Sequence, residues 1–342
     1  MKFRLALAAG LLAAAALPAQ AQEVTLKLHF HLPATSFAST LFIQPWCEKI
    51  AKESNQRMKC QIYPSMQLGG TPPQLFDQVR DGVADVVWTL PGYTAGRFPS
   101  LEAFELPFMM QSPEATSRAL WEYTQAHSQA EFKDVKPLAF HVHGDGVFHM
   151  ASKPVRGMAD LRGLKLRAPT RLTNKFIAML GATPVSMPVP QVGDALSKGV
   201  IDGAVVPYEV VPSVKLQELA KFHSETDPAE PAFYTSTFVF AMNKAKYDSL
   251  PAELKKVIDN NSGIALSGQI GKAFLQADQE GKKLTARNTH NVIPAAELAT
   301  WKQLGNKLAS DWVKEMDGKG LPGAKLLEDA KALIAKQVAA QR

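Results

Sequence analysis

The same short junction occurs twice in the chain, each time between a segment with helical spacing and a buried-strand pattern. Residues 80–87 read RDGVADVV and residues 197–204 read SKGVIDGA, so both contain Gly-Val-x-Asp. Glycine commonly ends a helix because it adopts a left-handed backbone without strain, and the apolar residues after each aspartate are typical of a buried strand. Strands that alternate with helices indicate an α/β unit. The repeat therefore predicts an α/β protein with two similarly built lobes and mainly parallel sheets.

The remaining segments fit the same fold class. Residues 24–31 alternate apolar and polar side chains, which predicts a first strand. The C-terminal third, from about Leu250, has few strand signals and predicts long amphipathic helices. Residues 267–286 could form one helix long enough to contact both lobes.

The first 21 residues have the features of a secretory signal peptide. Lys2 and Arg4 precede an apolar run over residues 5–17, and Ala19-Gln20-Ala21 has the small-x-small form of a signal-peptidase site. A buried N-terminal helix is the alternative. We predict that the chain is exported and cleaved after Ala21.

The charge of the predicted mature chain excludes some function classes. Without the signal peptide, 36 basic residues stand against 32 acidic ones, a net charge of about +4. The basic residues are scattered and are not interleaved with aromatic ones, which argues against nucleic-acid binding. No later segment reaches the roughly 18 consecutive apolar residues of a membrane-spanning helix.

Cys47 and Cys60 are the only cysteines. An oxidising compartment allows a disulfide between them. Free cysteines also pack as small apolar side chains. Because the sequence gives no Cα separation, both alternatives stay open.

The sequence contains no familiar catalytic or nucleotide-binding motif, neither G-x-S-x-G nor a P-loop, and no H-E-x-x-H or C-x-x-C pair. Histidines do lie in pairs on predicted strand faces, His29 with His31 and His141 with His143, and His149 is nearby. Such pairs can bind a metal, but no third ligand has a recognisable spacing. Packing or hydrogen bonding within the protein is the simpler role. We predict no metal and no cofactor.

Arg167 lies at the carboxyl end of a predicted strand in the second unit. Residues 163–168 alternate apolar and polar side chains, and Pro169 ends the strand. Parallel sheets bind ligands at this edge, and a guanidinium offers two parallel hydrogen bonds to a carboxylate. The alternative is an internal ion pair with an Asp or Glu.

Other aromatic and polar side chains are predicted at strand ends, namely His31, Trp88, Phe148 and Tyr208. Each could equally belong to an apolar core, where most large aromatic residues lie. Together with Arg167 they describe an apolar pocket that has one anion-binding group.

Three stretches of the sequence resemble the DctP-type solute-binding proteins of TRAP (tripartite ATP-independent periplasmic) transporters. They are TAGRFPSLEAFELPFMM (94–110), GLKLRAPT…LGATPVSMPVPQV…ALSKGVIDGAVVP (163–207) and AMNKAKYDSLPAELKKVI (241–258). The similarity extends from the first strand to about residue 300. It implies two α/β lobes joined by hinge strands, a long helix that braces both lobes, and closure over an organic acid that is passed to a membrane permease.

The resemblance also suggests domain boundaries. Residues 1–21 would be the signal peptide, and residues 22–144 with 232–271 would form lobe I. Residues 145–231 with 272–342 would form lobe II, including the C-terminal helices.

In the family the arginine of a G-x-K-x-R strand binds the substrate carboxylate, and this motif falls on Arg167. Positions that are polar in sialic-acid-binding relatives hold other residues here, namely His31 and Leu32, Thr89 and Leu90, Val147, and Val206. The expected second basic residue near 147 and the asparagine near 206 are absent. A pocket with one guanidinium and an apolar lining would leave sugar hydroxyls unpaired.

We therefore predict a periplasmic receptor, not an enzyme, that binds an aromatic or similarly apolar monocarboxylate through Arg167. The other predicted contact residues are His31, Trp88, Thr89, Leu90, Phe148, His149, Val206 and Tyr208. The expected partners are the small and large membrane subunits of a TRAP transporter. A receptor for a C4-dicarboxylate or 2-oxo acid, with a histidine as second charge, is the alternative within the class. A secreted metal-dependent hydrolase is the alternative from another class.

Overall fold

The structure, a computed structural model, describes residues 23–341, so the predicted signal peptide and its cleavage site lie outside the described residues. The strands are β1 Val24–Phe30, β2 Met58–Tyr63, β3 Val86–Thr89, β4 Val135–Val142, β5 Val147–Met150, β6 Lys165–Ala168, β7 Thr183–Ser186, β8 Gly203–Val206, β9 Phe222–Glu225, β10 Thr237–Asn243 and β11 Thr289–Val292. The helices are α1 Gln44–Glu53, α2 Leu75–Arg80, α3 Pro113–His127, α4 Met158–Leu161, α5 Arg171–Met179, α6 Val192–Ser197, α7 Leu216–Leu219, α8 Lys244–Asp248, α9 Ala252–Asn260, α10 Gly263–Leu284, α11 Ala295–Gly318 and α12 Gly323–Ala339.

The strands form two separate sheets, and this confirms the predicted two-lobed α/β fold. One sheet has the order β2-β1-β3-β10-β4 and the other the order β11-β9-β5-β8-β6-β7. Both sheets are mixed, although the sequence predicted mainly parallel ones. The reason is that β10 runs antiparallel to β3 and β4, and β5 runs antiparallel to β8 and β9.

The two Gly-Val-x-Asp junctions have the same structure in both lobes. The side chain of Asp85 accepts a hydrogen bond of 2.8 Å from the backbone N–H of Lys27, next to β3 in the first sheet. The side chain of Asp202 accepts one of 2.7 Å from the backbone N–H of Lys165, next to β8 in the second. Each aspartate N–H also donates back to the carbonyl of the same lysine. Each aspartate thereby joins the start of one parallel strand to its neighbour, which explains why the motif occurs once per lobe.

Two adjacent connections join the lobes. Residues 143–146 lead from β4 in the first sheet to β5 in the second, and residues 226–236 lead back from β9 to β10. Because β4 pairs with β10 and β5 pairs with β9, the connections lie side by side. The Thr235 hydroxyl in one connection donates to the carbonyl of His143 in the other at 3.0 Å. These segments are the hinge that the resemblance implied.

Helix α10 braces both lobes, as residues 267–286 predicted. Gly271 has no room for a Cβ against the Pro113 carbonyl at the start of α3, and Gly281 has none against the Tyr208 carbonyl beyond β8. Between these contacts, Asp278 accepts a hydrogen bond of 2.8 Å from the Glu209 backbone N–H. Such close helix packing requires glycine.

The C-terminal helix α12 packs on α3, which lies in the range predicted for lobe I, although α12 itself lies in the range predicted for lobe II. Lys336 and Gln337 of α12 both contact the Glu122 carboxylate of α3, at 2.9 Å and 2.8 Å. The predicted lobe boundaries otherwise stay a prediction.

Cys47 and Cys60 form a disulfide, which decides between the two alternatives left open by the sequence. Their Cα atoms lie 5.7 Å apart. The bond ties α1 to β2, the edge strand of the first sheet.

Candidate functional site

Arg167 is buried at the carboxyl end of β6, with 2% of its surface exposed. Its Nε donates to the Met187 carbonyl at 3.0 Å, and its Nη1 donates to the Val205 carbonyl at 3.2 Å. These hydrogen bonds use two of its five N–H bonds, and the Tyr93 hydroxyl also lies beside the guanidinium. No carboxylate within the described part of the chain forms an ion pair with it, so the internal-pair alternative has no support. Two backbone carbonyls therefore hold the guanidinium in place and leave donors free for an anion.

The free side of Arg167 faces a cavity lined by residues of both lobes. The cavity has a volume of about 30 Å³. His31 and Trp88 come from the ends of β1 and β3 in the first lobe, whereas Arg167 and Pro169 come from the second. The Tyr93 hydroxyl bridges the two sides, because it accepts a hydrogen bond of 3.1 Å from the Val189 N–H. This volume holds about two water molecules, so an organic ligand would fit only after the two sides of the cavity move apart.

Aromatic rings form one wall of this cavity. His31 and Phe238 both stack on the Trp88 indole, with ring centroids at 5.2 Å and 5.0 Å and planes within 6° of parallel. Tyr93 meets the His31 ring edge-on at 5.8 Å. Such a wall favours a flat apolar ligand body.

Four buried polar atoms of the cavity lining have no hydrogen-bond partner in the described part of the chain. They are His31 Nδ1, His143 Nε2, Glu209 Oε2 and Ser236 Oγ. Buried polar groups in native proteins are normally paired. Their concentration around a single cavity therefore indicates that a ligand or solvent supplies the missing partners.

The electrostatics of the cavity leave one full charge at neutral pH. Burial, together with the nearby Arg167 guanidinium, lowers the pKa of His31 to about 3. Burial likewise lowers the pKa of His143 to about 3, and it raises the pKa of the Glu209 carboxyl to about 8. At pH 7 both imidazoles are neutral and Glu209 is mostly protonated, so Arg167 carries the only full charge of the lining among the described residues.

Four of the residues predicted to contact the ligand meet at this cavity, namely Arg167, His31, Trp88 and Leu90. Thr89 and Val206 do not line it, although both are buried. Thr89 lies between Trp88 and Leu90, and successive side chains of an extended strand point to opposite faces. Val206 follows Val205, whose carbonyl contacts Arg167, and its own side chain belongs to the apolar core.

Phe148, His149 and Tyr208, also predicted to contact the ligand, do not line this cavity. Phe148 stacks on Phe233 at 4.8 Å within the core of its own lobe. On the opposite face of β5, His149 Nδ1 lies 2.7 Å from His223 Nδ1. The Tyr208 hydroxyl donates to Glu225 at 2.9 Å. His149 and Tyr208 therefore belong to a polar cluster with His223 and Glu225, away from the cavity. The end of a strand determines the edge of the sheet at which a residue lies, but not the face to which its side chain points.

The sequence did not predict several lining residues, namely Tyr93, His143, Val189, Glu209, Tyr234 and Phe238. His143 and Tyr234 belong to the hinge connections, and Phe238 belongs to β10, which joins the first sheet from far along the chain. His143 had a signal, its pairing with His141, but that pattern suggested packing or metal binding. Within residues 23–341 no group of three or more His, Cys, Asp or Glu side chains is arranged to hold a metal.

Residues 31–315 match the family model DctP, described as bacterial extracellular solute-binding protein, family 7. The chain belongs to this family. DctP proteins are the solute-binding receptors of TRAP transporters and not enzymes, which confirms both predictions. Among residues 23–341 there is no helix with the length and apolarity needed to cross a bilayer.

Two solved structures resemble this DctP protein over nearly their whole length. A TRAP solute-binding protein from Rhodoferax ferrireducens, in complex with copurified benzoate, is 51% identical with a TM-score of 0.92, covering 93% of this chain and 100% of the other. A marine metagenome TRAP protein, specific for aromatic acids and in complex with 3-hydroxybenzoate, is 50% identical with a TM-score of 0.90, covering 92% and 99%. The curated "Outer membrane transporter protein TsaT" of Comamonas testosteroni is 28% identical, covering 98% and 99%.

Proposed function

We propose that this DctP protein binds an aromatic monocarboxylate and holds its carboxylate on the free donors of Arg167. The main support is that Arg167 is the single full charge of the cavity lining among the described residues and lies beside the stacked aromatic rings. A buried guanidinium with free donors matches one carboxylate, and the Trp88 and Phe238 rings match an aromatic body. The benzoate and 3-hydroxybenzoate held by the two relatives of about half-identical sequence support this ligand class.

The same charges argue against the dicarboxylate alternative. A second carboxylate in the cavity would need a second cation, and the histidines of the lining are neutral because burial lowers the pKa of both His31 and His143 to about 3. The second carboxylate would therefore be a buried charge without a cation, which costs several kcal/mol. A sugar acid carries several hydroxyls, and those that lie against the aromatic wall would have no partner.

We further propose that the receptor works in the periplasm after removal of residues 1–21 and delivers its ligand to the membrane subunits of a TRAP transporter. The N-terminal sequence pattern and the family support both statements. Release of the ligand would require the lobes to open, and the Tyr93–Val189 hydrogen bond across the cavity would break in that step.

The test is a calorimetric titration of protein that has been unfolded and refolded to remove any copurified ligand. Benzoate is compared with succinate, malate and sialic acid. Cyclohexanecarboxylate is the control for the aromatic ring, and benzyl alcohol is the control for the carboxylate. We expect benzoate to bind most tightly and benzyl alcohol not to bind. Tight binding of succinate or malate with benzoate silent would refute the ligand class and leave the family unchanged.

A further inference from the structure

His143 occupies an unusual position, because it belongs to the hinge connection between β4 and β5 and also lines the ligand cavity. Its side chain is buried, with 2% of the residue exposed. Its Nδ1 lies 2.7 Å from the Gly144 carbonyl oxygen. A carbonyl oxygen can only accept, so the Nδ1 atom carries the proton of this hydrogen bond.

This hydrogen bond determines what the other ring nitrogen can do. Burial lowers the pKa of His143 to about 3, so the imidazole carries one proton at neutral pH, and that proton is on Nδ1. Nε2 is therefore a hydrogen-bond acceptor. It is buried and has no partner among the described residues. A carboxylate oxygen or a ring C–H cannot fill this place, because the place requires a donor.

We propose that the ligand is a hydroxylated aromatic acid whose ring hydroxyl donates a hydrogen bond to Nε2 of His143 while Arg167 holds its carboxylate. This inference rests on the proposed function and narrows it from aromatic acids to phenolic ones. The hydroxyl oxygen needs a donor in turn. Ser236 and Glu209 line the same cavity with unpartnered oxygens, so the lining offers suitable groups. A ring hydroxyl would thus give the polar atoms of the cavity hydrogen-bond partners that benzoate does not provide.

A water molecule beside His143 would satisfy Nε2 equally well, and a hydroxyl would then bring no advantage. The two cases differ in the affinities of matched ligands. A site built around a buried hydrogen bond discriminates strongly against ligands that lack the donor. A water-filled site would treat a hydroxyl and a non-donating substituent of similar size alike.

The first experiment uses the wild-type protein, freed of copurified ligand, and titrates benzoate with the 2-, 3- and 4-hydroxybenzoates and the three fluorobenzoates. Fluorine is close in size to a hydroxyl group but donates no hydrogen bond. We expect one hydroxy isomer to bind about 10-fold or more tightly than benzoate and than its own fluoro counterpart. If benzoate binds as tightly as all three hydroxy acids, the inference is overturned and the proposed function stands. If no compound of the panel binds, the proposed function fails and the inference fails with it.

A pair of variants tests the role of His143 itself. In His143→Asn the amide nitrogen can replace Nδ1 as donor to Gly144, but nothing reaches the place of Nε2. In His143→Gln the amide oxygen can take the place of Nε2 as acceptor. We expect His143→Asn to bring the hydroxybenzoate-to-benzoate affinity ratio close to one, and His143→Gln to keep most of the preference. Benzoate affinity in the same samples reports whether the site is folded. A full hydroxyl preference in His143→Asn would overturn the assignment to His143.

Discussion

Replacing Arg167 by alanine separates a ligand-binding arginine from a structural one, because the two roles predict different losses of stability in the unliganded protein. The substitution removes the only full charge of the cavity lining among residues 23–341, and a desolvated, charge-assisted pair that loses one partner costs about 2–5 kcal/mol. We expect the dissociation constant of benzoate to rise by roughly 30-fold to several-thousand-fold. Arg167→Lys should fail similarly, since an ammonium group lacks the planar fork.

The unliganded protein should lose little stability. Removing Arg167 takes a donor away from the Met187 carbonyl, at a cost of about 1–3 kcal/mol, whereas the Val205 carbonyl still accepts a hydrogen bond from the Tyr234 hydroxyl at 3.3 Å. It also removes a buried guanidinium that has no carboxylate partner in the described chain. Burial of such an unpaired charge costs several kcal/mol, and the substitution relieves this cost. The two contributions oppose each other. The net change in the free energy of unfolding should therefore stay within about 2 kcal/mol.

Urea unfolding with and without benzoate measures both quantities. At a benzoate concentration of 100 times the wild-type dissociation constant, the wild-type protein should gain about 2.7 kcal/mol, whereas a variant weakened 100-fold should gain only about 0.4 kcal/mol. Unchanged benzoate affinity in Arg167→Ala would refute the carboxylate-binding role. A loss of several kcal/mol in the unliganded variant would show that the arginine is chiefly structural.

Three further predictions concern pH, the disulfide and lobe closure. Because burial raises the pKa of Glu209 to about 8, its carboxyl is neutral below that pH and ionised above it, so benzoate affinity should fall as the pH rises from 7 to above 8. In calorimetry, Glu209→Gln should bind benzoate equally well across this range. A parallel fall in that variant would contradict the assignment of the pH dependence to Glu209. Replacing Cys47 and Cys60 by serine removes a link between residues 13 positions apart and should lower the free energy of unfolding by about 3 kcal/mol. It should not change benzoate affinity, since neither cysteine lines the cavity. Benzoate should reduce the radius of gyration in small-angle scattering, because residues of both lobes enclose the cavity; an unchanged value at saturation would indicate a rigid, closed cleft.

The sequence was a good guide to the fold and to the one charged residue of the cavity. The aspartates of the two Gly-Val-x-Asp junctions bond to the neighbouring strand in the same way, so a short motif was enough to predict two similar lobes. Pro169 marked the end of β6 and hence the edge on which Arg167 lies. Both features depend on local chain geometry, which neighbouring residues determine.

The rest of the site depends on which face of a strand a side chain occupies and on contacts between distant segments. Trp88 and Phe148 both lie in strands next to the site edge, yet Trp88 lines the cavity while Phe148 stacks on Phe233 in the core. Phe238 reaches the cavity only because β10 inserts between β3 and β4. The acceptor role of His143 follows from a single hydrogen bond to Gly144, which no sequence pattern reveals.

A crystal structure of the protein with benzoate tests the central claim most directly. We predict that a benzoate carboxylate oxygen lies about 2.7–2.9 Å from a free guanidinium nitrogen of Arg167, with the ring between the aromatic wall of Trp88 and the opposite lobe. The contradicting result is a benzoate whose carboxylate is bound elsewhere, or an Arg167 that pairs with Glu209 while benzoate stays outside the cavity.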